Sequence, residues 1–233
     1  MRLTGPRFLI LLGLLGLGIV VATDQIVPAT SAYQAQMRVW LAARAAGIVS
    51  YLLLTGQIVL GLILSHPTNQ TTWKLSKRLF PWHENLWVFV LAFLGVHVVS
   101  IVLDPYAGVG LAGTFVPGLS SYRSSPVALG TLAMYALIVT GLTARYTRLL
   151  PPGFWLKLHR FSLVVLALAW LHGILAGTDA SALRTFYLWT GLAVLVAAAY
   201  RYWVSRKARP TFATSLPESA PLPTRQPKEV ATR

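Results

Sequence analysis

Six separate apolar runs, each approaching or exceeding the length of a membrane crossing, constrain this chain more than any other feature. They cover residues 8–22, 39–64, 82–103, 127–144, 161–176 and 185–203. A helix needs roughly 20 apolar residues to cross a hydrocarbon core about 30 Å thick. Only 11% of the 233 residues are charged and 55% are hydrophobic, whereas soluble domains carry about 25% charged residues. A soluble globular fold is excluded, and six spans leave no length for a second soluble domain. The absence of cysteine rules out disulfides, iron–sulfur clusters, thiolate metal sites and cysteine nucleophiles.

The net charge of +14 is a topology signal. All lysines and arginines except Arg38, Arg44, Arg123 and Arg184 fall before the first run, between the second and third, between the fourth and fifth, or at the end of the sixth (Arg201) and after it. Asp24, Asp104 and Asp179 lie with the four exceptions. The positive-inside rule places the basic set in the cytoplasm. The expectation is a multi-pass protein of the plasma or inner membrane with both termini cytoplasmic. No basic stripe is interleaved with exposed aromatics, so no nucleic-acid partner is expected. The first run follows Arg2 and Arg7 and reads as a membrane anchor. A signal peptide is the alternative, although residues 20–23 match a small-x-small cleavage site poorly.

Residues 205–233 are rich in Pro, Ser, Thr and Ala and read as a disordered cytoplasmic tail. The outward loop 104–126 is long and fairly apolar. It is read either as a lid folded back over the bundle or as a loose connector.

The histidines carry the chemistry. His83 and His97 lie on the third run, 14 positions apart, and His159 and His172 bracket the fifth, 13 apart. Ionisable side chains within spans usually face the bundle interior. One span separates these two runs, so they are parallel, with His83 opposite His159 and His97 opposite His172. At 1.5 Å per residue the two levels are roughly 20 Å apart. Fourteen steps of about 100° return nearly to one helix face, whereas thirteen leave the side chains more than about 100° apart. A π-bulge, a bend or a distorted turn after Pro151-Pro152-Gly153 would repair that mismatch. A zinc site wants three or four converging ligands. Two imidazoles at each of two depths instead fit axial ligation of haem, with Gly95, Gly141, Gly173 and Gly177 available to make room.

Other signals are weaker. Gly108-Val109-Gly110-Leu111-Ala112-Gly113 spells G-x-G-x-x-G, but it follows a membrane helix and lacks the downstream acid of a dinucleotide site. Asn69-Gln70-Thr71 spells a glycosylation site on the cytoplasmic side. His66 precedes Pro67 at an interface and is not read as a ligand. Arg44 sits inside the second span, where a lone guanidinium is costly, and is the best candidate to hold a haem propionate. Snorkelling to the surface competes with that reading. Arg160 and Lys157 are second choices, and Arg123 is a candidate for an anionic iron chelate. Glu84 reads as a helix N-terminal charge after Pro81.

The pattern resembles the ferric reductase-like transmembrane domain, shared by ferric reductases, NADPH oxidases and the haem subunit of the periplasmic methionine sulfoxide reductase system. His-x13-His and His-x12-His at 83/97 and 159/172 carry the resemblance. Ala43-Arg44-Ala45, Trp155 to Arg160 and His172 to Asp179 support it, over about residues 38–203. The resemblance implies two stacked b-type haems, with His83 and His159 on the inner one and His97 and His172 on the outer. The family's oxidases and ferric reductases continue into a domain that binds FAD and NAD(P)H. These residues hold no such site, so a separate flavoprotein or a quinol is expected as donor.

The sequence therefore predicts an all-α membrane protein of six transmembrane helices, with a four-helix core around two haem b groups. Residues 1–37 form the anchor and outer loop, 38–204 the haem-binding domain and 205–233 the tail. The expected activity is electron transfer across the lipid bilayer to an outer acceptor: ferric iron by resemblance, or oxygen or a periplasmic reductase. A haem subunit of a quinol-linked or methionine sulfoxide reductase-type system is one alternative. A haem-free scaffold or carrier is another.

Overall fold

The computed structural model describes residues 6–26, 29–66 and 75–207. Within them the chain is 81% helix with no strand. The helices are α1 (Pro6–Ile26), α2 (Ala32–Leu64), α3 (Ser76–Leu103), α4 (Gly110–Phe115), α5 (Ser124–Arg145), α6 (Phe154–His159), α7 (Ser162–Ala176) and α8 (Arg184–Lys207). Four stretches are long and apolar enough to cross a membrane: α2, α3, α5, and α6 with α7 taken together. The other two expected spans form α1 and α8, helices of 21 and 24 residues, and stand outside that set. Tyr187, Trp189, Tyr200, Tyr202 and Trp203, with three arginines, dilute the apolarity of α8. The glycosylation triplet at 69–71 and the tail beyond 207 lie outside the described residues.

Two helices start earlier than apolarity alone suggests. Ser31 caps α2 by accepting from the Gln34 amide at 3.1 Å, satisfying one of the free donors of the first turn. The helix then runs 33 residues, about 50 Å at 1.5 Å per residue. α3 begins at Ser76 and carries Pro81 inside its second turn. Glu84 is therefore not an N-terminal charge; it pairs with Arg145 of α5 at 3.6 Å.

The core joins α2, α3, α7 and α8 through Tyr51, Leu54, Ile58, Val90, Val165, Leu166, Tyr187 and Val194. Polar groups inside it are paired, as burial requires. Tyr51 and the Thr190 hydroxyl share a 2.8 Å bond, and the Trp170 indole donates to the Tyr187 carbonyl at 2.7 Å. Leu52, Phe89, Leu192 and Leu195 point outward and are exposed. That arrangement is stable where the surroundings are lipid rather than water.

The loop after α3 folds back over the helix ends as a lid. Asp104 turns the chain by accepting from the Ala107 amide at 2.8 Å. The lid is tied to α5 by the Thr131 hydroxyl on the Thr114 carbonyl at 2.9 Å. It is tied to α7 by Tyr122 on the Ala176 carbonyl at 3.1 Å and Arg123 on the Leu175 carbonyl at 2.9 Å. This accounts for the G-x-G-x-x-G spelling. Gly108 and Gly110 have φ of 64° and 62°, which L side chains rarely adopt. A Cβ on Gly113 would lie 2.9 Å from the Ser120 Cα. These glycines shape a lid, not a phosphate cradle.

Candidate functional site

The fold brings the four span histidines together in the pairs expected from their spacing. The His83 and His159 ring centres are 5.9 Å apart at 89°. Those of His97 and His172 are 6.2 Å apart at 77°. Helices α3 and α7 are therefore parallel, with the two pairs one above the other. His66 lies elsewhere, stacked on Tyr200 of α8 with ring centres 5.8 Å apart.

Thirteen residues separate His159 from His172, yet both face α3, because the helix is interrupted. His159 is the last residue of α6, and α7 begins at Ser162. Between them the Phe161 amide bonds to Leu158, three residues back, at 2.9 Å. Such a turn winds about 120° per residue instead of 100°, turning His159 toward the missing angle. The interruption is a tightened turn immediately after the histidine, and Gly153 at φ 75° starts the short helix.

Three of the four rings are anchored by one repeated device. His97 Nδ1 donates to the Ala43 carbonyl at 2.6 Å, His83 Nδ1 to the Gln57 carbonyl at 3.1 Å, and His172 Nδ1 to the Pro126 carbonyl at 2.9 Å. Four residues after each acceptor comes a glycine against the same ring. A Cβ on Gly47 would lie 2.9 Å from His97, on Gly61 3.2 Å from His83, and on Gly130 2.7 Å from His172. At Gly47 and Gly130 the ring occupies the space of a methyl group, and at Gly61 the fit is tight. A carbonyl can only accept, so Nδ1 holds the proton and Nε2 keeps the free lone pair. These three rings are thereby fixed in the tautomer a metal ligand needs. His159 differs: its Nδ1 is buried without a hydrogen-bond partner, and Trp155 lies 6.1 Å away, ring centre to centre.

A cavity of about 200 Å³ runs past the His97–His172 pair, from Val109, Thr114 and Tyr122 of the lid down to Leu54, Leu137 and Val165. One water needs about 10–15 Å³, so this is no packing defect. Its lining is predominantly apolar, and Arg44 and Asp179 meet at its edge. Arg44 stands on α2 and forms an ion pair with Asp179 in the turn before α8, with its guanidinium also 5.9 Å from the Trp40 ring centre. It neither snorkels freely nor stands alone. Arg123 is engaged with the Leu175 carbonyl and the Tyr122 ring.

Of the glycines picked from sequence, Gly173 and Gly177 line this cavity, whereas Gly141 approaches Trp87 and Gly95 has nothing within 4 Å. Gly47, Gly61 and Gly130 went unnoticed, as did the carbonyl acceptors. One signal was present: Gly47 and Gly61 are 14 apart, the spacing of His83 and His97. On antiparallel helices, equal spacing places each glycine beside a histidine.

The donor set can be tested against a metal. An imidazole nitrogen lies about 2.0–2.1 Å from a bound ion and about 1.2 Å from its ring centre, so rings across one ion stand roughly 6.4 Å apart. The observed 5.9 and 6.2 Å are close to this. Edge-on aromatic contacts share the range, but they need neither protonated Nδ1 anchors nor a cavity beside the rings. Among the described residues, no three His, Asp or Glu side chains converge, so no zinc site of three protein ligands is built there. The residues present would fit a group held by two imidazoles at each level and surrounded by apolar side chains. An all-helical protein with helices long and apolar enough to cross a membrane, and with two stacked imidazole pairs, is thus the class defined by fold and site. No protein family, curated protein or solved structure matches the chain.

Proposed function

We propose that this chain carries electrons across a membrane, using two haem b groups held by His83 with His159 and by His97 with His172. The observation that carries this reading is the stacking of two facing imidazole pairs, three rings of which have Nδ1 committed to a backbone carbonyl. When bound, haem supplies reversible one-electron chemistry at iron. The protein holds and orients the imidazoles, surrounds them with apolar side chains and excludes water. Fourteen residues of α3 separate the two levels by about 21 Å, so two sites divide a crossing that one could not span.

The basic residues Lys77, Arg78, Arg145, Arg148, Lys157, Arg160 and Arg201 gather at the His83–His159 end, which supports a cytoplasmic assignment for that level. On this reading α1 and α8 complete a six-helix bundle. The donor, on this reading, is a separate flavoprotein or a quinol. The acceptor lies beyond the His97–His172 level, as in the ferric reductase-like proteins that the sequence resembles. The Arg44–Asp179 pair edges the outer cavity. Arg44 lines that cavity and would hold a propionate there, with Asp179 the partner it would exchange.

The test is a haem-to-protein ratio on detergent-purified full chain expressed with ample haem, with a reduced-minus-oxidised spectrum. The expected result is a b-type spectrum near two haems per chain. A stable, colourless protein would overturn the reading and favour a haem-free scaffold.

A further inference from the structure

The two imidazole pairs are not equivalent. At the His97–His172 level both rings have the carbonyl-and-glycine anchor, from Ala43 and Gly47 on α2 and from Pro126 and Gly130 on α5. At the other level only His83 has it, from Gln57 and Gly61. The corresponding pair for His159 would lie on α5, 13 or 14 residues beyond Pro126 and Gly130. Those positions hold Val139 with Thr143, or Thr140 with Ala144, and neither offers a glycine. His159 Nδ1 is accordingly left buried and unpartnered.

A second observation points the same way. His83, His97 and His172 stand within helices of 28, 28 and 15 residues. His159 ends a helix of six residues, framed by Gly153 in the left-handed region and by the break at Arg160–Phe161. Its ring thus lacks the hydrogen bond that fixes the other three, and it stands beside a tightened turn rather than within a long helix. Loss of the hydrogen bond behind a metal-bound histidine typically weakens metal affinity 10–100-fold.

We infer that the His159 position is exchangeable, so that the site on His83 admits a small iron ligand such as carbon monoxide, cyanide or free imidazole while the His97–His172 site refuses it. This rests on the haem reading above. His159 would be the more weakly held of the two ligands, and a diatomic or azole ligand would compete with its side chain.

The test uses the dithionite-reduced, detergent-purified full chain under carbon monoxide, followed by its absorbance change. The expected stoichiometry is one carbon monoxide per two haems. His159→Ala should keep that ratio, because it opens the same position, whereas His172→Ala should raise it to one per haem. A two-haem chain that refuses carbon monoxide would overturn the inference and leave the proposed function standing. So would a reversed pattern, with the ratio raised by His159→Ala and unchanged by His172→Ala. A chain without haem would overturn both. If either variant does not fold, the wild-type ratio and its competition by added imidazole still decide the matter: uptake suppressed by imidazole supports exchange, and absent uptake refutes it.

Discussion

Replacing Gly130 by alanine should loosen the site, against the ordinary effect of that change. In a helix interior, Gly→Ala usually stabilises by about 1 kcal/mol. At Gly130 the new Cβ would lie 2.7, 2.8 and 2.9 Å from Nδ1, Cε1 and Cγ of His172. Normal contact is about 3.5–4.0 Å, so the ring or the helix must move by roughly 0.8 Å. The ring cannot move that far and keep its 2.9 Å bond to the Pro126 carbonyl. Overpacking costs about 1–3 kcal/mol and the lost hydrogen bond about 0.5–1.5 kcal/mol. After the helix gain, a net loss of roughly 1–3 kcal/mol remains. Gly47→Ala, at 2.9 Å, should cost somewhat less and Gly61→Ala, at 3.2 Å, least. Gly95→Ala, with nothing within 4 Å, is the control and should be neutral or stabilising. Thermal unfolding of the four variants in one detergent gives the ranking, and haem retained per chain gives its effect on the site. If Gly130→Ala proves as stable as Gly95→Ala, the argument from ring contact is wrong.

Asp179→Asn should destabilise the chain by about 1–2 kcal/mol by stranding Arg44. This lies below the cost of breaking a fully buried pair, because both side chains are partly exposed; a double-mutant cycle with Arg44→Gln, read as thermal midpoints, should show the two coupled. Gly113→Ala places a methyl 2.9 Å from the Ser120 Cα, so the lid must shift, and proteolysis between α3 and α5 should accelerate several-fold while α2 and α3 stay protected. His97→Ala should open the outer site to carbon monoxide as His172→Ala does, and uptake left at one per two haems would remove that residue from the ligand set. Reduction by NADPH alone should fail in the purified chain, and rapid reduction without added flavoprotein would place a donor site within it.

The parts of this fold visible in the sequence were those written along single helices. Apolar runs set α2, α3, α5 and the α6–α7 stretch, and equal depth along parallel helices paired His83 with His159 and His97 with His172. Contacts between helices were less visible. The lid was one of two readings of its loop, because Tyr122, Arg123 and Thr131 bond to carbonyls that carry no residue-type signal. Arg44 was recognised as costly in a span, but Asp179, its partner, lies 135 positions away in a turn, and one-helix periodicity cannot join them. The thirteen-residue spacing is the most instructive case. On an unbroken helix it puts His159 on the wrong face, so the chain breaks directly after that residue. The break that turns His159 toward His83 also confines it to the end of a six-residue helix. A fourteenth residue would have let α7 continue unbroken through both histidines, and His159 would then have been held within a long helix like the other three. The same one-residue deficit therefore connects the spacing in the sequence, the interruption of the helix and the inequality of the two sites.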